Sequence, residues 1–385
     1  MTQRSRRRFL IGATTTLAAA ATAGVWWQRR QAAGSIGFAV SADELAHARA
    51  FMAVHPVIDS HAHPGRTFVR GAEHVTGLIR LYVWRGGFER ATIADMRAGG
   101  VSVAAFAAVS DFQTLALGGN AGLTSARAFE PGEAWASYRR QIGQLQALVA
   151  QGLVRRIDRP EDIELARHAG QVGALFTVEG GDFLEGQPGR VATAHADGVR
   201  SITLLHYRNN ELGDAMTGPP RHGGLTAAGV AVIRAMNRCG MLVDLAHASE
   251  ATAFGAMEVS TQPMLASHTH VHADDRPHAP SRFISRTLAT AIAAGGGGLV
   301  GAWPAGVGID NLNGFVDRTL ALIERVGIDH VCLGTDMDAN YRPVLDSYVR
   351  LPVYVAGLFQ RGLTETEVAK LMGGNFLRVF AAVQA

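Results

Sequence analysis

"VIDSHAHPG", residues 57–65, decides how the rest of the chain is read. An apolar start runs into Asp59, His61 and His63 at alternate positions, and a Pro-Gly turn then stops the run. Successive side chains of a β-strand point to opposite faces, so a strand through this stretch puts both imidazoles on one side. Two of the chain's 15 histidines falling together by chance would give no more than a wet strand end. Two ring nitrogens on one face can instead grip one divalent ion. The choice turns on whether other strands end in residues of the same kind.

Working outward, eight short apolar runs alternate with helical stretches. The runs are "VIDSHAH" from Val57, "VSVAAFAAVS" from Val101, "GALFTVEGG" from Gly173, "SITLLHY" from Ser201, "MLVDLAHAS" from Met241, "PMLASHTH" from Pro263, "GLVGAWPAG" from Gly298 and "HVCLGTDMD" from His330. Several are apolar nearly throughout, as parallel strands covered on both faces should be. Between them lie segments such as "GLTAAGVAVIRAMNRCG" from Gly224, with Thr226 placed to cap a helix and Gly240 to end it. This alternation predicts an α/β fold, a (β/α)8 TIM barrel; a doubly wound open sheet is the competing arrangement. No GxGxxG follows the first strand. The barrel is expected over 45–385 as one domain, behind a leader segment at 1–35.

The ends of these runs then answer the opening question. His61 and His63 end the first, Glu179 the third, His206 the fourth, His247 the fifth, His268 the sixth and Asp336 the eighth. In a barrel all of these ends surround one mouth. One histidine at a strand end is ordinary, but six of eight strands ending in His, Glu or Asp are hard to obtain without a site. Four histidines and a carboxylate exceed what one tetrahedral zinc takes and suit two ions sharing a bridge. Lys370 is the only lysine and falls in the C-terminal helical region, so a carboxylated-lysine bridge has no candidate residue. Glu179 is the natural bridge, and Gly180 and Gly181 after it let backbone approach closely.

Composition narrows the function classes. Hydrophobic content of 48% with 18% charged residues is that of a globular protein with a large core. The net charge of +3 is spread along the chain apart from the N-terminus, which leaves no footprint for nucleic acid. The opening "SRRRFLIGATTTLAAAATAGVWW" matches the twin-arginine export pattern, so the periplasm or the outer face of the inner membrane is the expected location. Ala21-Thr22-Ala23 suits cleavage, while Trp26, Trp27, Arg29 and Arg30 leave an N-terminal membrane tether open. Cys239 and Cys332 fall in buried elements and read as packing residues.

Together "DSHAHPG", "FTVEGG", "SITLLHYRNN", "GLTAAGVAVIRAMNRCGMLVDLAHAS", "ASHTH", "HVCLGTDMDA" and the closing "GGNFLRVF" resemble the membrane dipeptidase family, also called renal dipeptidases, peptidase family M19. The resemblance runs from about Ala53 to Val383. It implies a zinc-dependent barrel that hydrolyses small dipeptides with a hydroxide held between two zinc ions, and it admits a homodimer. Residue by residue, it makes His61 and His63 ligands of one ion, Glu179 the bridge, and His247 and His268 ligands of the other. His206 would polarise the scissile carbonyl, and Asp336 would shuttle the proton. Arg282 in "PSRFIS" would bind the substrate carboxylate, with Arg276 as the alternative. The family usually has HxD where this chain has His61-Ala62-His63, so one anionic ligand becomes neutral. His270 and His272 in "HTHVH" read as groups on the loop side of the site. Two rival functions stand beside this one: another binuclear amidohydrolase or lactonase activity on the same barrel, and a non-catalytic periplasmic metal-binding protein. Metal binding alone would need neither Asp336 nor His206.

Overall fold

A computed structural model of the chain describes residues 35–118, 122–273, 282–340 and 342–385; the leader up to residue 34, and Arg276, lie outside the described residues. Eight strands form the centre: β1 Ile58–Asp59, β2 Val103–Val109, β3 Gly173–Glu179, β4 Val199–Thr203, β5 Leu242–Asp244, β6 Leu265–Val271, β7 Leu299–Ala302 and β8 Val331–Leu333. Each pairs in parallel with the next, and β8 pairs in parallel with β1, so the sheet closes. The barrel expected from the strand and helix alternation is therefore the fold. Among the described residues no helix is long and apolar enough to cross a membrane.

Strand alternation sorts the side chains into two layers. Ala174, Phe176 and Val178 of β3 pack outward with the helices, as do Ala104, Phe106 and Ala108 of β2. Leu175 points inward, where it joins Ile58, Val103, Leu242, Leu265 and Leu299 from other strands. The period of two carries Glu179 to the inward side as well, one layer pair higher, at the carboxyl end of the barrel. Cys332 fills the same lumen, and both cysteines are free thiols. The C-terminal helix Asn375–Gln384 seals the lower end with Phe376 and Phe380, each contributing about 1.5–3 kcal/mol of burial. Asn375 Nδ2 donates to the carbonyls of Ile328 and Val331 at 2.7 and 2.8 Å, fixing that helix to the start of β8. The closing "GGNFLRVF" motif is thus a plug.

Two departures from regularity shape the upper end. β1 stops at Asp59, so the histidines lie beyond it rather than within a strand reaching His63. Their alternation survives because Ala62 makes an isolated parallel bridge with Met337, and His63 N–H donates to the Met337 carbonyl at 2.9 Å. The second departure is in β6, where Ala266 pairs with Val300 but Thr269 pairs with Ala302. One extra residue on β6 makes a bulge that turns His268 inward, where strict alternation from Leu265 would have turned it out. The Ser267 carbonyl displaced by this bulge occupies space that a Cβ on Gly301 or Gly334 would collide with.

Candidate metal centre and active site

Beneath the mouth, two buried carboxylates organise opposite sides of the barrel. Asp59 ends β1; its Oδ1 accepts from the backbone of His61 at 3.2 Å and Thr335 at 2.9 Å, and its Oδ2 from the Tyr348 hydroxyl at 2.8 Å. Asp244 ends β5; its Oδ1 accepts from the backbone of Ala246 at 3.0 Å and Ser267 at 2.9 Å, and its Oδ2 from the hydroxyls of Thr203 at 2.7 Å and Ser267 at 2.6 Å. Each acid therefore holds the turn that follows its own strand and ties it to a neighbouring one, Asp59 through Thr335 just past β8 and Asp244 through Ser267 within β6. The side chains held in this way are His61, His247 and His268.

The histidines converge on Glu179. Its Oε1 lies 3.4 Å from His61 Nε2, 2.9 Å from His247 Nε2 and 3.5 Å from His268 Nε2; its Oε2 lies 3.3 Å from Nε2 of both His63 and His206. His61 and His63 face each other through Nε2 at 3.2 Å, as do His247 and His268. Asp336 Oδ1 stands 3.4 Å from His63 Nε2. All the sequence-predicted ligands meet here, and all are buried. Among the described residues, three overlapping groups have donor atoms close enough to hold an ion: His61 with His63 and Asp336, His61 with Glu179 and His268, and Glu179 with His206 and His247.

The donor set fits divalent ions. His63 Nδ1 faces the Ala107 carbonyl at 3.3 Å, and His268 Nδ1 faces Ser267 Oγ at 3.0 Å, whose own proton goes to Asp244. These contacts place the ring protons on Nδ1 and leave the Nε2 lone pairs aimed into the cluster. Nε2 atoms facing each other at 3.2 Å can share a cation, a proton or a metal ion. The field agrees: burial disfavours a charged His61, yet the charge and hydrogen bond of Glu179, with Asp336 and Asp244 adding, raise its pKa to about 9. A field that retains a proton there also favours a metal ion. Burial opposes an ionised Glu179, but His206 and His61 hold its pKa well below the usual carboxylate range. His247 and His268 are pushed the other way, first by burial, then at His247 by the Arg282 charge with His206 adding, and at His268 by the His61 charge with Arg282 adding. Two ligand-bearing turns also carry strained backbone, with φ of 66° at His247 and 53° at Asp336, a conformation that costs about 1–3 kcal/mol and is concentrated at functional sites.

Around this cluster stand the remaining polar groups. Asp111 Oδ1 accepts from His206 Nδ1 at 2.5 Å and its Oδ2 from the Tyr207 backbone at 3.2 Å. Burial works against a charged His206, but Asp111 and Glu179 raise its pKa. Trp303 Nε1 donates to Asp336 Oδ2 at 3.3 Å. Burial lifts the Asp336 carboxyl to about 6 against the pull of His63 and His61. Arg282 enters the same mouth, with Nη2 2.9 Å from His268 Nε2 and Nη1 3.2 Å from Met216 Sδ, while its buried Nε has no partner among the described residues. Asp338, the second acid of "GTDMDA", accepts from Gly65 N–H at 2.6 Å and the Thr92 hydroxyl at 2.7 Å, clasping the turn after His63. His270 packs edge-on against Phe283 with ring centroids 4.9 Å apart, and among the described residues no group able to hold an ion includes it.

Sequence reading missed Asp111 and Trp303. Asp111 follows "VSVAAFAAVS" by a single residue and ends β2 as the other polar residues end their strands, so the strand-end rule could have found it. Trp303 directly follows β7 in the same way. The cavity over the cluster has a free volume of about 80 Å³, and Arg282, Tyr207 and Asp336 line it. A wider cavity at the opposite end of the barrel, bordered by Asp158, Arg200, Gly240 and Gln384, contains none of these residues.

With this geometry in hand, comparison with known proteins is informative. The family model described as membrane dipeptidase, peptidase family M19, matches residues 45–385. The chain is 32% identical over 235 residues to dipeptidase tcpJ of Claviceps purpurea, covering 59% of this chain and 54% of that protein. It is 30% identical over 224 residues to dipeptidase verJ of Clonostachys rogersoniana, covering 56% of each. The chain thus spans about half the length of these curated relatives. Among solved structures, the probable dipeptidase PvdM from Pseudomonas aeruginosa superposes with a TM-score of 0.72 at 18% identity, over 90% of this chain and 99% of that one. A metallo peptidase from Rhodobacter sphaeroides, liganded with a phosphinate mimic of the dipeptide L-Ala-D-Ala, superposes with a TM-score of 0.70 at 20% identity, over 86% and 99%. At these identities the two structures support the barrel alone.

Proposed function

We propose that this chain, which belongs to the membrane dipeptidase family, is a metal-dependent dipeptidase whose active site is the mouth described above. The observation that carries the reading is the convergence of five imidazoles on Glu179 beside a protonatable carboxyl and a buried guanidinium. His61 and His63 would hold one divalent ion, His247 and His268 a second, with Glu179 between them; zinc suits nitrogen donors with a carboxylate. Such ions, when bound, supply a water acidified toward neutrality and polarise the scissile carbonyl.

The chain's own groups do the rest. Asp336, raised to about 6, can take up a proton near neutral pH and pass it to the departing amine nitrogen. Trp303 fixes the carboxylate oxygen that is not turned to His63. Asp111 binds the Nδ1 proton of His206, so a second proton on the ring sits at Nε2, facing the cluster, where it can donate to the carbonyl oxygen as charge develops there. The Nε of Arg282, unpartnered among the described residues, calls for an acceptor, and a substrate carboxylate supplies two oxygens in the geometry of a guanidinium edge. A neutral lactone or phosphotriester would leave that charge without a counterpart, which favours a peptide with a free C-terminus. The twin-arginine opening supports action outside the cytoplasm.

The test is release of free amino acid from a panel of L,L and L,D dipeptides by protein reconstituted with zinc and by protein treated with chelator. Turnover that depends on the metal supports the reading. Inertness toward every dipeptide, alongside hydrolysis of lactones or phosphotriesters, overturns it.

A further inference from the structure

Barrel topology places the polar and apolar sides of the mouth opposite each other. With eight strands in consecutive order around the ring, β2 lies across from β6. Arg282 follows β6, and its guanidinium reaches His268 from that side. On the far side, two excursions of the chain meet. The segment after β1 supplies Phe68, Ile79 and Tyr82; Phe112, Leu115 and Leu123 come from the stretch after β2, where Leu115–Leu117 and Leu123–Ser125 pair as an antiparallel hairpin. These six residues and the catalytic cluster border the same cavity. Phe68, Ile79, Phe112 and Leu115 are at most 5% exposed and pack together with Val109, so the wall is already formed before a ligand enters.

This deepens the dipeptidase reading and rests on it. We infer that the substrate's N-terminal residue carries a bulky apolar side chain, which seats against this wall. A dipeptide held at its C-terminal carboxylate by Arg282, with its peptide bond over Glu179, must extend its N-terminal half toward β1 and β2. Among the described residues that border the cavity, the charged or titratable side chains other than tyrosine are those of the cluster, Arg282, His206 and Asp336; none of them belongs to the wall. An acidic or basic side chain directed there would be buried without a partner, and a glycine would leave the wall uncovered. The site therefore selects by hydrophobic contact on one side and by charge pairing on the other.

The experiment compares kcat/KM of the zinc-loaded enzyme across an Xaa-Ala series with Xaa as Leu, Met, Phe, Gly, Asp and Lys, and across the reversed Ala-Xaa series. Leu-Ala, Met-Ala and Phe-Ala are expected to exceed Gly-Ala by at least about tenfold, and Asp-Ala and Lys-Ala by at least about a hundredfold. The reversed series should discriminate less. Leu123 is only half-buried at the cavity edge, so Leu123→Arg should be tolerated and should narrow the ratio of Leu-Ala to Asp-Ala by about tenfold or more. Equal cleavage of Gly-Ala, Lys-Ala and Leu-Ala by the unaltered enzyme overturns the inference, as does a preference confined to the Ala-Xaa series. Failure to cleave any dipeptide is a different result, and it overturns the dipeptidase reading on which this one rests.

Discussion

The two halves of the metal centre are built alike and charged differently. On one side Asp59 ends β1 and holds the turn that carries His61 and His63; on the other Asp244 ends β5 and holds the turns that carry His247 and His268. Both pairs face each other at 3.2 Å, and both share Glu179. The β1 half has Asp336 as a neighbour, and His61 is raised to about 9 against its burial. The β5 half has Arg282 as a neighbour, and His247 and His268 lie well below the ordinary value through burial, then the Arg282 charge at His247, and the His61 charge followed by that of Arg282 at His268. One scaffold device, used twice, thus yields one half that attracts cations and one that accepts them only against a resident guanidinium. The replacement of the family's usual aspartate by His63 falls on the attracting half, where Glu179 and Asp336 remain to supply the negative charge.

The largest effect should come from the group common to both halves. Glu179→Gln is expected to abolish most turnover and to lower bound metal from two ions toward one, since a neutral amide is a poor bridge between dications. Metal analysis after dialysis, read beside the rate, checks this; two ions with undiminished turnover would remove Glu179 from the bridging role. Next is a change confined to the β1 half. Asp336→Asn should keep both ions and lose about two to four orders of magnitude in kcat. A variant that lost metal, yet turned over normally once reloaded, would make Asp336 a ligand instead.

The corresponding change in the β5 half separates binding from chemistry. Arg282→Ala should raise KM for free dipeptides by about 10- to 100-fold, the range of a charged hydrogen-bonded contact, and leave KM for dipeptide amides nearly unchanged. The same variant should hold its second ion more tightly, because the charge that depresses His247 and His268 is gone; weaker binding of that ion would contradict the comparison. The smallest effect is a proton count on metal-free protein. A raised pKa means that His61 carries a proton below about pH 9, so filling the β1 half at pH 7–8 must expel about one proton, and its affinity should fall as pH falls. The depressed histidines are already neutral there, so filling the β5 half should expel none until the pH drops below their lowered values. Calorimetric titration in buffers of differing ionisation heat measures both; equal release from the two halves would show that their charge environments are the same.

Much of this was legible in the sequence for a definite reason. Parallel strands covered on both faces read as apolar runs, and a barrel gathers their carboxyl ends, so His61, His63, Glu179, His206, His247, His268 and Asp336 could be placed at one mouth without coordinates. What was hidden depended on register and on backbone. The run from Val57 reads as one strand to His63, but β1 ends at Asp59, because beyond it the His61 N–H turns back to the Asp59 carboxylate instead of joining a ladder. Asp244 has the residue type of a ligand, yet the protons it accepts from Thr203 and Ser267 make it a support. The apolar wall draws on Phe68, Ile79 and Tyr82 from a segment with neither helical nor strand periodicity, so no pattern in "RTFVRGAEHVTGLIRLY" announces it. Arg282 reaches the cluster, while Arg276 falls outside the described residues.

The bulge in β6 has a further consequence. His268 faces inward because the Ser267 carbonyl has room between β7 and β8, and that room exists because Gly301 and Gly334 have no side chains. A methyl group at either position would press on β6 and tilt an imidazole two strands away from one of them. In a mutational scan both glycines would therefore score with the catalytic residues although neither carries a reactive atom. A search for chemistry by functional group alone would pass over the two positions that aim it.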